Sequence, residues 1–182
     1  MKILIVGGGS AGWMTAATLE SQFPQHKISL IESKNIPSIG VGESTLVQIT
    51  YWMRLLKIKD EDFLKHVDGS YKLSIKFTDF YKKGEAFHYP FGNPPIKNTR
   101  AGTNDHNKFD KNDCSYAYHF DAIKFGLWLK NNYCKKIKHI VEDVVSVEQD
   151  ENGITSLNNK YKADLYIDCT GFRSLLLGKS LK

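Results

Sequence analysis

A chain of 182 residues, 41% of them hydrophobic, is long enough to bury a real core, and its size suits one domain or a domain with an appendage better than two full domains. The net charge of +5 rests on 22 lysines scattered along the chain against three arginines, Arg54, Arg100 and Arg173, which argues against nucleic-acid binding, where arginines cluster with aromatics on one face. No run of about 18 apolar residues is present to span a membrane, the N-terminal apolar stretch is too short for a signal peptide, and Cys114, Cys134 and Cys169 form no CxxC pair, so a cytoplasmic protein without disulfides or a metal cluster is expected.

Lys2 to Val6 is a β-branched apolar run that stops at glycine, and from Ser10 the apolar positions Ala11, Met14, Ala17 and Leu19 recur at helical spacing. Phe23-Pro24 ends that helix. Lys27 to Ile31 reads as a second strand closing on Glu32, so the first 32 residues form a βαβ unit with a buried parallel sheet. Ser44 is the expected N-cap of a second helix reaching Leu56, with Leu46, Ile49, Trp52, Met53 and Leu56 as its apolar face. The β-rich pieces YKLSIKF and EAFHY, separated by Lys82 to Glu85, read as an antiparallel pair.

Residues 93–113, rich in Pro, Asn, Asp and Gly, read as a long loop, a feature that compact domains usually keep for function or leave disordered. Helical spacing returns from His119 to Tyr133. HIVEDVVSVEQ and GITSLNNKYK read as strands joined through Glu151-Asn152-Gly153, and Ala163 to Asp168 as a buried strand ending at Cys169-Thr170-Gly171. Trp13, Trp52 and Trp128 fall in expected helices and read as packing residues. The fold class is therefore α/β: a Rossmann-like fold with a parallel sheet, one domain over 1–182, with 70–92 as a small antiparallel insertion and 93–113 as a loop.

Gly7, Gly9 and Gly12 make GxGxxG between a strand and a helix, and Glu32 stands twenty residues beyond Gly12. In that context the first glycine permits a tight turn, the second lets the backbone approach a pyrophosphate, and the third allows close helix-to-strand packing. The N–H groups of the helix start, including those of Ser10 and Ala11, meet the anion together with the helix dipole. Glu32 would accept from ribose hydroxyls and repel a 2′-phosphate. The residues alone leave FAD, NAD and a ligand-free glycine turn open.

Further along come GVGEST at Gly40 to Thr45, IKF at Ile75 to Phe77, YHFDA at Tyr118 to Ala122 and DLYIDCTGFRSLL at Asp164 to Leu176, following GGGSAGW at Gly7 to Trp13. In this order the segments resemble the N-terminal part of the flavin-dependent tryptophan halogenases. The resemblance implies FAD bound at its pyrophosphate by the first turn, with Gly40, Val41, Gly42, Glu43 and Ser44 bordering the flavin, where glycine lets backbone pass a planar ring. It implies a second approach to FAD at Asp168 to Gly171, and places Val144 and Val145 on a strand beside the adenine.

The resemblance further implies that Lys76 is catalytic, taking hypohalous acid made at the reduced flavin and presenting it to an aromatic carbon. Strand alternation puts Ile75 and Phe77 on one face and Lys76 on the other, where it is expected to enter a cavity. There its ammonium can hydrogen-bond the acid or, deprotonated, form a haloamine. The implied co-reactants are O2, halide, FADH2 from a separate flavin reductase, and an indole- or phenol-like substrate.

The sequence also departs from the family. The WxWxIP motif and the downstream glutamate of full-length members do not occur in it, so a truncated or minimal halogenase is the expectation. Tyr89 stands where a stacking histidine belongs, whereas Phe91 matches, leaving His88 and Phe91 as substrate candidates. Activity would then call for a complementing polypeptide or a replacement base such as His88, Glu43 or Asp79, and uncovered apolar surface would favour a homo-oligomer. The competing expectation is an FAD- or nucleotide-binding protein without turnover, or one subunit of a split flavoenzyme. An NAD-dependent oxidoreductase is disfavoured by the flavin-side motifs.

Overall fold

The computed structural model describes residues 1–36, 42–92 and 115–180. Gly40, Val41, the expected loop at 93–113, and Cys114 lie outside the described residues. In chain order the elements are β1 (Lys2–Val6), α1 (Ser10–Gln22), β2 (Lys27–Glu32), β3 (Gly42–Ser44), α2 (Gln48–Leu55), α3 (Asp60–His66), β4 (Ser70–Lys72), β5 (Ser74–Thr78) and β6 (Ala86–Pro90). They continue with β7 (Ala117–Asp121), α4 (Ala122–Tyr133), β8 (Lys138–Val141), β9 (Val147–Asp150), β10 (Gly153–Leu157), β11 (Leu165–Asp168) and a 3-10 turn at Gly171–Arg173. The chain divides into two compact units, one of Met1–Val41 with Asp121–Lys182 and one of Gly42–Phe120.

The first unit is built on a parallel sheet of order β11-β1-β2-β8. Ile3, Leu4, Ile5 and Val6 are all buried, a continuous run rather than an alternation, because both faces of this central strand are covered. On one side lies α1, whose Ala16 and Ala17 are fully buried, and it packs on α4. A Cβ at Gly126 of α4 would come within 3.3 Å of the Trp13 ring, so the two helices meet at close range. On the other side Leu4, Val6 and Ile31 pack with Leu157 and Leu176, each such burial contributing about 1.5–3 kcal/mol.

HIVEDVVSVEQ is not one strand. β8 joins the main sheet, whereas β9 pairs antiparallel with β10. Between them the Asn158 side chain accepts from Val145 N at 2.8 Å and Ser146 N at 3.2 Å and donates to Asp143 O at 2.7 Å. These bonds satisfy the backbone locally in place of a ladder. Val144 consequently packs on the Leu4–Leu157 cluster, and Val145 is 82% exposed, so neither occupies the expected strand position.

The second unit holds a three-stranded sheet of order β3-β7-β4 and the antiparallel hairpin β5-β6. Ile49, Met53, Leu56, Phe63 and Val67 from the α2–α3 region are buried with Tyr118 and Phe120 of β7. The Asp60 carboxylate accepts from the hydroxyls of Tyr71, Tyr116 and Tyr118 at 3.0, 3.0 and 2.8 Å, tying α3 to β4 and β7.

Three local expectations change here. Ser44 ends β3 rather than capping a helix, because Thr45 exchanges bonds with Tyr118 of β7, Thr45 N donating to Tyr118 O and Tyr118 N to Thr45 Oγ1, both at 3.0 Å. YKLSIKF breaks at Leu73 into β4 and β5, which join different sheets. The helix expected from His119 begins only at Ala122, since Asp121 caps it, its carboxylate accepting from Lys124 N at 2.8 Å. The helix α3 was not foreseen, although its first turn is acidic (Asp60, Glu61, Asp62) and its last basic (Lys65, His66). Among the described residues no helix is long and apolar enough to cross a membrane.

Candidate nucleotide site

Gly7 and Gly9 occupy the turn between β1 and α1 and Gly12 the first turn of α1, and each has a different spatial reason for lacking a side chain. Gly7 has φ +111°, and a Cβ there would lie 2.3 Å from Cys169 O at the end of β11. At Gly12 a Cβ would lie 1.9 Å from Gly7 O, so the helix can sit on the turn only without one. At Gly9 a Cβ would meet nothing within 4 Å; this backbone faces open space, as an approach path for a diphosphate requires. The helix carries no acidic residue in its first turn and no side-chain cap, leaving its positive end to an anion.

The parallel pairing of β1 with β11 sets Val6 beside Asp168. Residues from opposite ends of the chain therefore share one hollow of about 230 Å³, lined by Ala11, Asp168, Cys169, Gly171, Ser174 and Leu177. Gly171, at φ +59°, has open space around its missing Cβ. The Asp168 carboxylate is occupied internally, accepting from Thr170 Oγ1 at 2.6 Å, Leu176 N at 2.8 Å and Leu177 N at 3.0 Å. Burial alone would push this carboxyl up, but the bonds from Thr170, Leu177 and Leu176 outweigh it and hold it below the usual range. Asp168 thus shapes the wall through the turn it organises. Burial raises the Cys169 thiol.

Glu32, at the end of β2, accepts from His139 Nε2 of β8 at 2.6 Å. The first unit therefore gathers Gly7, Gly9, Ser10, Ala11, Gly12, Glu32, Asp168 and Gly171. A turn open at Gly9, an uncapped helix start, a carboxylate at the next strand end and an adjoining hollow fit a dinucleotide such as FAD.

Gly42, Glu43, Ser44, Lys76, His88 and Phe91 belong to the second unit. The hairpin register sets Lys76 opposite His88 and Phe77 opposite Phe87, so alternation does separate Lys76 from the stacked Phe77–Phe87 pair, whose ring centroids are 5.1 Å apart. Lys76 is exposed rather than enclosed, because a two-stranded ribbon covers only one of its faces. His88 Nδ1 bonds Ser74 Oγ at 2.9 Å. Phe91 is buried, with Lys72 Nζ 5.4 Å above its ring. The Lys72 ammonium donates to Thr45 O at 2.8 Å, and burial lowers its pKa.

The sequence profile of the family described as tryptophan halogenase matches residues 2–109 and 96–182, the two matches together spanning nearly the whole chain. The chain belongs to the tryptophan halogenase family. Similar proteins include a 7-chloro-L-tryptophan 6-halogenase, KtzR, of Kutzneria sp. (strain 744), 30% identical over 98% of this chain and 46% of that relative. The crystal structure of a tryptophan 6-halogenase from Streptomyces toxytricini superposes with a TM-score of 0.82 at 28% identity, over 99% of this chain and 46% of the other. A flavin-dependent halogenase from Xanthomonas campestris, Xcc4156, gives a TM-score of 0.84 at 27% identity, over 99% and 44%.

The chain spans about half the length of the relatives it matches. Flavin-dependent tryptophan halogenases use FAD reduced by a separate flavin reductase, in keeping with the open turn at Gly9. Sequence reasoning missed three residues placed here: Ser174 and Leu177, which line the hollow, and His139, which bonds Glu32. His139 carried one signal, a parallel strand beside β2 that places a polar side chain next to Glu32. Ser174 and Leu177 reach the hollow through an irregular turn that has no periodicity to read.

Proposed function

We propose that this chain is the FAD-binding portion of a flavin-dependent halogenase acting on an indole- or phenol-like aromatic. The observation that carries the reading is the hollow joining Ala11 at the start of α1 to Asp168 at the end of β11 and Gly171 in the turn beyond it, beside a turn whose Gly9 faces open space. Residues 1–182 are read as one functional FAD module, with 70–92 as the insertion that bears the catalytic lysine. Reduced FAD, supplied by a separate reductase, would furnish with O2 and halide the oxidising equivalent of halogenation.

The chain's own residues then have distinct tasks. The amides at Ser10 and Ala11 orient the diphosphate, Gly7 and Gly12 hold the turn shut behind it, and Glu32 accepts from ribose. The segment Gly40 to Ser44 is assigned to the flavin side. Lys76 would hold hypohalous acid through its ammonium while the arene carbon takes its halogen, the acid's hydroxyl and the ring proton leaving as water, with His88 and Phe91 on the substrate side. A cytoplasmic setting suits the three dispersed cysteines.

The test is halogenation of tryptophan, indole and a simple phenol with FAD, NADH, a flavin reductase and bromide or chloride. Lys76→Ala is expected to cut product at least about a hundredfold while FAD binding and melting temperature stay put. Equal product from both proteins would remove the lysine assignment.

The exposure of Lys76 favours a second reading, in which the chain binds FAD without turnover alone and works with a complementing polypeptide or a second copy of itself. That reading predicts FAD binding with no product from wild type or Lys76→Ala.

A further inference from the structure

Gly8 stands at a position the GxGxxG fingerprint leaves unrestricted, yet it is the most obstructed residue of the turn. A Cβ there would lie 1.5 Å from Glu32 Oε2 and 2.8 Å from Glu32 Cβ. The Glu32 side chain therefore lies directly over the glycine turn. Its Oε1 is bound by His139 Nε2 at 2.6 Å, with the two side chains only 25% and 22% exposed. His139 projects from β8, where Leu30 pairs with His139 and Glu32 with Val141, so strand alternation sets His139 and Glu32 on the same face. The Trp13 ring of α1 meets the imidazole in a T-shaped contact, with ring centroids 5.3 Å apart at 61°. Strand, helix and carboxylate together fix the ring.

We propose that His139 is a positioning residue that aims Glu32 at the ribose of the bound nucleotide, so that the pair reads an unphosphorylated 2′,3′-diol; this rests on the FAD reading of the glycine turn. An ionised carboxylate only accepts hydrogen bonds. With Oε1 directed to His139, the edge lying over Gly8 is the one presented to the nucleotide, and it matches a hydroxyl donor. A 2′-phosphate offers that edge negative charge in place of a donor. Gly8 belongs to the same device, since any side chain there would displace Glu32 from the turn.

The probes are ADP, 2′-deoxy-ADP and FAD, titrated calorimetrically against the full 182-residue protein. Wild type should prefer ADP over 2′-deoxy-ADP by about tenfold, the size expected of one hydrogen bond to a charged group. His139→Ala should weaken ADP and FAD by about tenfold and leave 2′-deoxy-ADP within about twofold, collapsing the preference. His139→Gln, whose amide can donate, should restore part of it. Gly8→Ala should collapse the preference as His139→Ala does, and serves as the second variant should His139→Ala misfold.

A general structural role for His139 would instead weaken both nucleotides equally. That result, or a preference unchanged in His139→Ala and Gly8→Ala, overturns the proposal while leaving the FAD reading intact. Wild type binding neither ADP nor FAD overturns both.

Discussion

The two units illustrate different ways of building a site. In the first, backbone geometry imposes the arrangement: Gly7 abuts Cys169, Gly12 abuts Gly7, and Asp168 is held by Thr170, Leu176 and Leu177. In the second, the residue assigned the chemistry is a flexible lysine on a two-stranded ribbon, exposed on the face away from the Phe77–Phe87 stack. A turn that cradles a diphosphate is complete once its strands pair and its helix docks. A strand-borne amine acquires a function only from what is brought over it.

That contrast can be broken from the side of the turn. Gly12→Ala places a methyl 1.9 Å from Gly7 O, backbone that cannot swing aside, so a loss of about 3 kcal/mol in unfolding free energy is expected, together with loss of FAD binding. Denaturant titration checks it, and an unaltered midpoint would mean that helix and turn are not in tight contact.

Asp168→Asn should have a smaller effect, about 1.5–3 kcal/mol, because it exchanges charge-assisted bonds from Thr170 and two amides for weaker ones. Since the folded protein holds this carboxyl below its ordinary value, its contribution is present above the unfolded pKa, about 3.9, and is lost as pH falls through the folded value. The gap between wild type and Asp168→Asn should be constant near neutrality and close progressively below about pH 4. A gap that widens with acid would contradict the assignment. Lys76→Ala, at the other end of the scale, should change stability by less than about 0.5 kcal/mol, as exposed substitutions do.

Much of the first unit was legible because its signals are local. β1, the glycine turn, α1 and β2 follow from an apolar run, three glycines and a helical repeat in the first 32 residues, and the strand ending at Asp168 from a second apolar run. What could not be read depended on partners distant in sequence. Ser44 has the chemistry of an N-cap, but Thr45 pairs with Tyr118, 73 residues away, and tertiary pairing overrode local preference. Asn158 withdraws Val145 and Ser146 from the strand their β-branched neighbourhood suggests. His139 reaches Glu32 across 107 residues. The motif around Lys76 fixed its side of the hairpin and not its burial, which depends on neighbours that strand alternation does not specify.

On the proposed reading, the open backbone at Gly9 receives the diphosphate of FAD. Gly9→Asp tests it most directly, because a side chain there meets nothing within 4 Å and adds negative charge where an anion would sit. Equilibrium FAD titration of wild type and Gly9→Asp, run beside their melting curves, should show binding by wild type, a loss of at least about a hundredfold in the variant, and matching melting temperatures without ligand. Equal FAD affinity in the two proteins, or none in wild type, would contradict it.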